Sequence, residues 1–226
     1  MISSSSHQPT GRSDNLGDYD RLFIPRVHRL IKIGYDQLTP GEHSNDEETA
    51  ITGDLVEAIE DVLDFPTAKW MRFYSVHDDP PENQPRRRGR QRRRGRKRKR
   101  VDIRFVSSKT SPRTRFRFEC KRLGRGHNVG LYLGAKGLGC FLTGDYARED
   151  TRAGMLGYVQ SDDEETWAGK LEQRLLDSPR IYSLRAESPW RHEPVIREFA
   201  HTYRSDHGRG RGRRPIEIYH TLLRFY

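Results

Sequence analysis

The chain of 226 residues is 33% hydrophobic and 33% charged, with a formal net charge of +10, which predicts one decorated domain rather than several. It has no apolar run near the roughly 20 residues of a membrane span, and its start lacks the apolar segment of a secretory signal. Its two cysteines are too few for a disulfide framework or a zinc cluster. We therefore expect no membrane span and no disulfide framework, with the cytoplasm as the compartment.

The chain begins with a polar tail and a region without a clear period. Residues 1–18 are rich in Ser, Gly and Asp and are predicted to be disordered. Residues 19–226 are predicted to form the single domain. Residues 22–38 mix apolar and basic side chains and favour neither helix nor strand.

A helix is predicted from a cap at Asn45 or Asp46 to about Asp64. Its apolar residues recur at helical spacing, and they are Ile51, Leu55, Ile59, Val62 and Leu63. Glu57 falls on the opposite, solvated face, whereas Glu48 projects near the middle of the apolar stripe at about 100° per residue. A carboxylate aimed at the core requires a partner, although a first-turn Glu can also stay hydrated and be stabilised by the helix dipole.

A strand is predicted over residues 70–76, and most of the positive charge follows it. Residues 86–100 hold 12 arginines and lysines and no acid, and the rest of the chain has 30 basic and 32 acidic residues. Loop composition at 79–85 indicates that this run is an insertion at about 80–100. It fits a phosphate-binding arm or a nuclear localisation signal, or a solvated insertion. The arm interpretation assigns nucleic-acid contacts to Arg92, Arg93, Arg94, Lys97 and Lys99.

An antiparallel hairpin is predicted over residues 101–121. Both arms alternate polar and apolar residues, which is the period of a half-buried strand. If the polar turn is centred on residues 110–111, facing residue numbers sum to 221, and Asp102 lies opposite Glu119. Glu119 and Lys121 are two apart and share a face.

Facing pairs in this hairpin have an unusual charge pattern. Two carboxylates opposite each other, about 4.5–5.5 Å apart at Cβ, are destabilising unless a cation offsets their charge. Mg²⁺ is often held by one or two carboxylates plus substrate phosphates. Arg104 faces Arg117 in the same register, which disfavours a simple ladder of structural ion pairs. A polyanion across this face would bind both arginines.

The remaining elements predict a mixed central sheet flanked by helices, an α/β fold. They are a short helix at 128–136, a strand at 155–159, a helix capped by Asp162 or Asp163, and strands at 181–186 and 216–223. Two glycine-rich stretches, at 124–130 and 207–214, are predicted to be loops, with phosphate contact left open for both.

The residues Asp102, then Glu119-Cys120-Lys121 after a hairpin turn, resemble the core of the PD-(D/E)XK nuclease superfamily. That resemblance implies a restriction-endonuclease-like core in which Asp102, Glu119 and a helix glutamate bind Mg²⁺ or Mn²⁺. The helix glutamate would be Glu48, with Glu57 in reserve. Lys121 would position or activate the attacking water.

The resemblance implies a metal-dependent phosphodiesterase that acts on nucleic acid, DNA in preference to RNA. The downstream stretch from Tyr132 to Val159 is also similar to nuclease-like proteins of bacterial defence systems. A defence-system protein or a second copy of the chain is therefore the expected protein partner. Two alternatives stay open: a non-catalytic protein that binds nucleic acid through its Arg-rich segment, and an interaction protein with an inactive nuclease fold.

Overall fold

A computed structural model describes residues 14–81, 99–210 and 212–226, with side chains from residue 21 onward. Within these ranges seven strands form one sheet: β1 (Tyr74–Ser75), β2 (Ile103–Ser107), β3 (Thr114–Leu123), β4 (Arg152–Val159), β5 (Arg191–His192), β6 (Thr202–His207) and β7 (Ile216–Arg224). The accompanying α-helices are α1 (Asp14–Tyr35), α2 (Glu48–Asp64), α3 (Val129–Tyr132), α4 (Leu138–Leu142) and α5 (Glu164–Asp177). Short 3-10 helices lie at Pro40–His43 and Met71–Phe73.

The sheet is mixed, with strand order β1-β2-β3-β4-β7-β6-β5. The three central strands β3, β4 and β7 are parallel, and antiparallel pairs flank them on both sides. The predicted α/β class, a mixed sheet flanked by helices, is confirmed. No helix in the described ranges is long and apolar enough to cross a membrane.

Each face of the sheet carries its own apolar core. Alternate β3 residues such as Phe118 pack with side chains of α1 and α2, including Ile31 and Leu55. Leu123 packs with α5 on the other face, where Leu171 is fully buried. Since successive strand residues point to opposite faces, the central strands are covered on both sides, as parallel strands usually are.

The elements whose apolar residues recur clearly at helical or strand spacing match their predictions. The predicted helix ends at Asp64 as expected, although Glu47 precedes it in place of Asn45 or Asp46 and makes no side-chain cap. Strands β4 and β7 contain the predicted segments. Asp163 caps α5 by accepting a hydrogen bond from Thr166 N–H at 2.6 Å.

Three predicted elements are wrong or shortened because turns replace them. The first part of 70–76 is a 3-10 helix, and β1 begins only at Tyr74. The helix predicted at 128–136 ends at Tyr132, before a glycine-rich turn. Residues 181–186 form successive turns, with Ser183 at a φ of 49°.

Helix α1 and strand β6 were not predicted because their burial pattern is atypical. Helix α1 contains Pro25 and many basic residues, which blur the apolar stripe formed by Phe23, Ile24, Val27, Leu30 and Ile31. In β6 the fully buried residues are polar, namely Thr202, Ser205 and His207. Helix α1 also begins inside the predicted tail, of which residues 1–13 lie outside the described part of the chain.

A buried chain of hydrogen bonds explains the polar interior of β6. His207 Nδ1 lies 2.8 Å from Tyr182 O, and Ser205 Oγ lies 2.7 Å from both His207 Nε2 and His220 Nε2. Burial lowers the pKa of His207 to about 4 and that of His220 well below its usual value, so both rings are neutral near pH 7. A neutral ring has one N–H, so His207 donates from Nδ1, Ser205 donates to His207, and His220 donates to Ser205. Tyr132 OH, 3.2 Å away, donates to His220 Nδ1.

The parallel pairing of β3 and β4 predicts a sharp difference between two glycine substitutions. Gly154 lies opposite Phe118, and a Cβ there would lie 2.1–2.2 Å from the Phe118 ring. We expect Gly154→Ala to lower the free energy of unfolding by about 1–3 kcal/mol through overpacking. Gly169 in α5 has open space, so Gly169→Ala is the control and should raise that free energy by about 0.5–1 kcal/mol. Chemical denaturation measures both, and an unchanged Gly154→Ala would contradict the register.

Candidate functional site

The hairpin register that places the candidate site is confirmed. Strands β2 and β3 pair so that Ile103 faces Phe118 and Arg104 faces Arg117, with residue numbers that sum to 221. Asp102 immediately precedes β2, and its Oδ2 accepts a hydrogen bond from the backbone N–H of Cys120 at 2.6 Å. The backbone of β3 therefore holds the Asp102 carboxylate beside Glu119.

Lys121 brings three carboxylates together around its ammonium group. Its Nζ lies 2.7 Å from Glu48 Oε1, 2.9 Å from Glu119 Oε1 and 3.8 Å from Asp102 Oδ2. It also donates to the backbone oxygen of Cys120 at 2.5 Å. The four residues predicted to form the site thus meet at one point, near the carboxyl end of β3.

Glu48 reaches this point because the loop before α2 is tied to the sheet. Gln160, directly after β4, donates from Nε2 to the backbone oxygens of His43 and Asp46, each at 2.9 Å. Arg122 of β3 also donates to the Asp46 oxygen, at 3.1 Å. These bonds fix the first turn of α2 against the ends of β3 and β4. Gln160 and Arg122 were not predicted from the sequence, where the signal for them is a polar residue at the carboxyl end of a buried strand, the place where α/β proteins bind ligands.

The base of the basic insertion lies next to Asp102. Beyond β1 and β2 the same antiparallel pairing continues through Asp78 with Ile103 and Pro81 with Arg100. The N–H of Asp79 donates to the backbone oxygen of Asp102 at 2.8 Å. Residues 82–98, which include the predicted contacts Arg92, Arg93, Arg94 and Lys97, lie outside the described residues. They connect the two strands of a hairpin whose paired end adjoins the candidate site.

Burial puts the carboxylates of the site under electrostatic strain. Glu119 is 4% exposed, and burial, followed by the charge of Asp102, raises its pKa to about 8. Burial likewise raises the pKa of Asp102 to about 6, although Lys121 opposes this shift. Burial lowers the pKa of Lys121, but the three carboxylates outweigh it and hold that pKa above its usual value. Lys121 is therefore charged, and it is the cation on which the carboxylates converge.

The donor set suits a hard divalent cation, but the ammonium group takes the central position. Among the described residues no group of three or more His, Cys, Asp or Glu side chains is arranged to hold a metal ion. Carboxylate oxygens are nonetheless the ligands of Mg²⁺, and Glu119 Oε2 is buried without a hydrogen-bond partner. The chemistry of the residues fits the ion, while the Lys121 ammonium lies among the same carboxylates.

The other predicted residues are placed less favourably. Glu57 is exposed on α2, so Glu48 is the helix glutamate of the site. Arg117 is 8% exposed and paired with Asp150, which argues against its predicted phosphate contact. Arg104 is half-buried on β2. Lys99, at the base of the insertion, lies 3.5 Å from a carboxylate oxygen of Asp145.

The glycine-rich loop predicted at 207–214 has a structural role. It joins β6 to β7, and Arg209 in it donates to the backbone oxygens of Ala147 and Asp150 at 2.9 and 2.7 Å. The stretch at 124–130 is a tight turn in which Gly124 pairs with His127. Apart from the ends that belong to α3 and β6, the described residues of both stretches form loops, as predicted, and the described contacts of Arg209 are with the protein backbone.

No protein-family model matches the chain, and neither the curated proteins nor the solved structures include a match.

The raised pKa of Glu119 predicts a pH-dependent gain in stability for Glu119→Gln. The folded-state pKa lies above the unfolded value, so wild type loses stability as pH rises from about 4.5 to about 8. Glutamine cannot ionise, so the variant's advantage in unfolding free energy should grow by up to about 5 kcal/mol over that window, at about 1.4 kcal/mol per unit. Denaturant unfolding in chelator at several pH values measures it.

Glu57→Gln on the exposed face of α2 is the matched control for Glu119→Gln. Its stability relative to wild type should not depend on pH over the same window, because surface charges of this kind contribute little. A Glu119→Gln difference that stays flat with pH would show that Glu119 is already ionised and well stabilised by its neighbours.

Proposed function

We propose that this chain is a divalent-metal-dependent nuclease that hydrolyses phosphodiester bonds of nucleic acid, DNA in preference to RNA, on a restriction-endonuclease-like core. The observation that carries the proposal is the meeting of Glu48, Asp102, Glu119 and Lys121 at the carboxyl end of β3. Three buried or half-buried carboxylates around one cationic group are costly for stability alone. Such clusters of perturbed groups are characteristic of functional sites.

Each residue of the site has a distinct part in the proposed reaction. Asp102, Glu119 and Glu48 would hold Mg²⁺ or Mn²⁺, with Asp102 fixed by the Cys120 N–H. A divalent cation supplies charge neutralisation for the phosphate and for the leaving oxygen. Lys121, once its ammonium is free to donate, orients the attacking water or stabilises developing negative charge.

The position of the basic insertion supports nucleic acid as the substrate. Residues 86–100 hold 12 of the 42 basic residues, and the paired end of this hairpin adjoins Asp102. A basic segment binds the phosphate backbone whatever its sequence. It therefore raises the local concentration of substrate at the site without selecting a base sequence.

A second candidate function is binding of nucleic acid without cleavage. It is favoured by the position of Lys121, whose ammonium takes the place of the metal among the carboxylates. The Arg-rich segment alone would then bind DNA or RNA, and the acidic residues would be structural. In either case a second copy or a defence-system protein stays the predicted protein partner.

Cleavage assays with matched variants test the proposed nuclease. Linear and plasmid DNA, and RNA, are incubated with the full chain in Mg²⁺ or Mn²⁺. We expect Asp102→Asn and Lys121→Ala each to lower the cleavage rate by about 100-fold or more, because the first removes a metal ligand and the second removes the donor that orients the water or stabilises developing charge. Asp61→Asn, an exposed carboxylate on α2, is the control and should cleave like wild type. Metal-dependent cleavage that persists in Asp102→Asn would exclude this site.

Replacement of residues 82–98 by a short Gly-Ser linker separates affinity from chemistry. Binding of DNA, followed by fluorescence anisotropy, should weaken and lose most of its salt dependence, because fewer phosphates are neutralised. Cleavage at low salt should persist, since the paired base from Asp78 to Ile103 stays intact. A variant of full length with Ser for each Arg is the control and should behave like the deletion. Unchanged affinity in both would show that the segment does not bind DNA.

A further inference from the structure

We infer that Lys121 is an internal competitor of the divalent cation, so that metal binding requires the ammonium group to leave the carboxylates. The inference rests on the proposed function in that it concerns the same site. Its test measures metal binding rather than cleavage. A lysine that only assists after the metal has bound would not compete with it.

The hydrogen bonds of Lys121 carry the inference. An ammonium group has three N–H donors, and Lys121 has three close acceptors: Glu48 Oε1 at 2.7 Å, Glu119 Oε1 at 2.9 Å and Cys120 O at 2.5 Å. Its side chain is 13% exposed. Two of the three donors are thus used in hydrogen bonds within the protein, and the ion pair with Glu119 also holds the ammonium in place. Lys121 must change its position before it can take part in the chemistry.

The carboxylate oxygens that Lys121 contacts cannot bind a second cation at the same time. Mg²⁺ requires oxygens at about 2.0–2.1 Å and Ca²⁺ at about 2.3–2.6 Å. The oxygens of Glu48 and Glu119 already lie within 3 Å of Nζ, so an ion bound to them would lie against the ammonium. Like charges this close repel strongly in a partly buried site. The flexible four-carbon stem of lysine allows the ammonium to withdraw.

The single charge of the ammonium group does not neutralise the carboxyl groups completely. This remaining negative charge favours replacement of the ammonium by a divalent ion. Three carboxyl groups face one ammonium group, and Glu119 Oε2 is buried with no hydrogen-bond partner. A doubly charged ion offsets more of this negative charge and can take the oxygen that lysine does not reach. Exchange of the ammonium for the metal therefore both fills the site and frees Lys121 to donate.

Competition by Lys121 predicts a different change in metal affinity, when Lys121 is replaced, from a purely catalytic or structural role. Removal of a competitor strengthens binding of the metal. Removal of a residue that acts after binding leaves metal affinity unchanged, and removal of one that organises the ligands weakens it. We therefore expect Lys121→Met, which keeps the length of the side chain without its charge, to bind the metal more tightly than wild type.

Isothermal titration calorimetry of the full chain with Mn²⁺ and with Ca²⁺, without nucleic acid, tests this expectation. Lys121→Met should bind about 5- to 100-fold more tightly, the usual range of coupling between two ligands. Lys170→Met is the control, because Lys170 is exposed and pairs with Asp162 at 3.0 Å away from the site. It should bind like wild type. Glu48→Gln should weaken binding in both backgrounds.

Thermal unfolding gives a second readout of the same exchange. In chelator Lys121→Met should melt below wild type, because its carboxylates lack any cation. Mn²⁺ should then raise its melting temperature more than that of wild type. If Lys121→Met does not fold without metal, Lys121→Gln, which can still donate to Glu48, takes its place in both experiments.

The outcomes separate this inference from the proposed nuclease. Equal or weaker metal binding by the Lys121 variants overturns the competition, even if wild type cleaves DNA. Tighter binding by the variants with no cleavage by wild type supports the competition and rejects the nuclease. Absence of Glu48-dependent metal binding in every variant rejects both.

Discussion

The structure depends on one constraint, which is that acidic side chains are buried away from water. Asp102 and Glu119 are brought together by the hairpin register, and Glu48 is added by the start of α2. Water is largely excluded from Glu119, so these charges need a cation from the protein or from solution. Lys121 is the cation that the protein itself provides. The pKa values of Asp102 and Glu119 are raised because burial outweighs the opposing effect of this one ammonium group.

The fold holds this arrangement through elements that are themselves firmly buried. Parallel β3 and β4 are covered on both faces, and Gln160 at the end of β4 ties down the loop that leads into Glu48. The backbone of β3 binds Asp102 directly. The acidic side chains therefore cannot relax apart without disturbing the central strands. The stability of the sheet therefore offsets the electrostatic cost of holding these acidic side chains together. Strain of this kind is common at functional sites.

The sequence allowed the hairpin register and the position of Glu48 to be predicted because both follow from local geometry. Strand alternation and a polar turn define which residues face each other, and the helical angle places Glu48 toward the sheet. Gln160 and the polar interior of β6 could not be predicted in this way. Their partners lie far along the chain, and a buried histidine or serine resembles an exposed one until its hydrogen bonds are known. The resemblance that suggested a nuclease covers the hairpin and α2, so the function itself stays a proposal.

The paired end formed by Pro81 and Arg100 has a consequence for how this protein can vary. The chain leaves the sheet and returns at neighbouring positions, so the segment between them can lengthen or shorten without moving Asp102. Loop closure entropy is weakly sensitive to such changes, at about 0.6 kcal/mol for each doubling of length. Natural selection can therefore change the number of arginines in this segment while the geometry of the carboxylates stays the same.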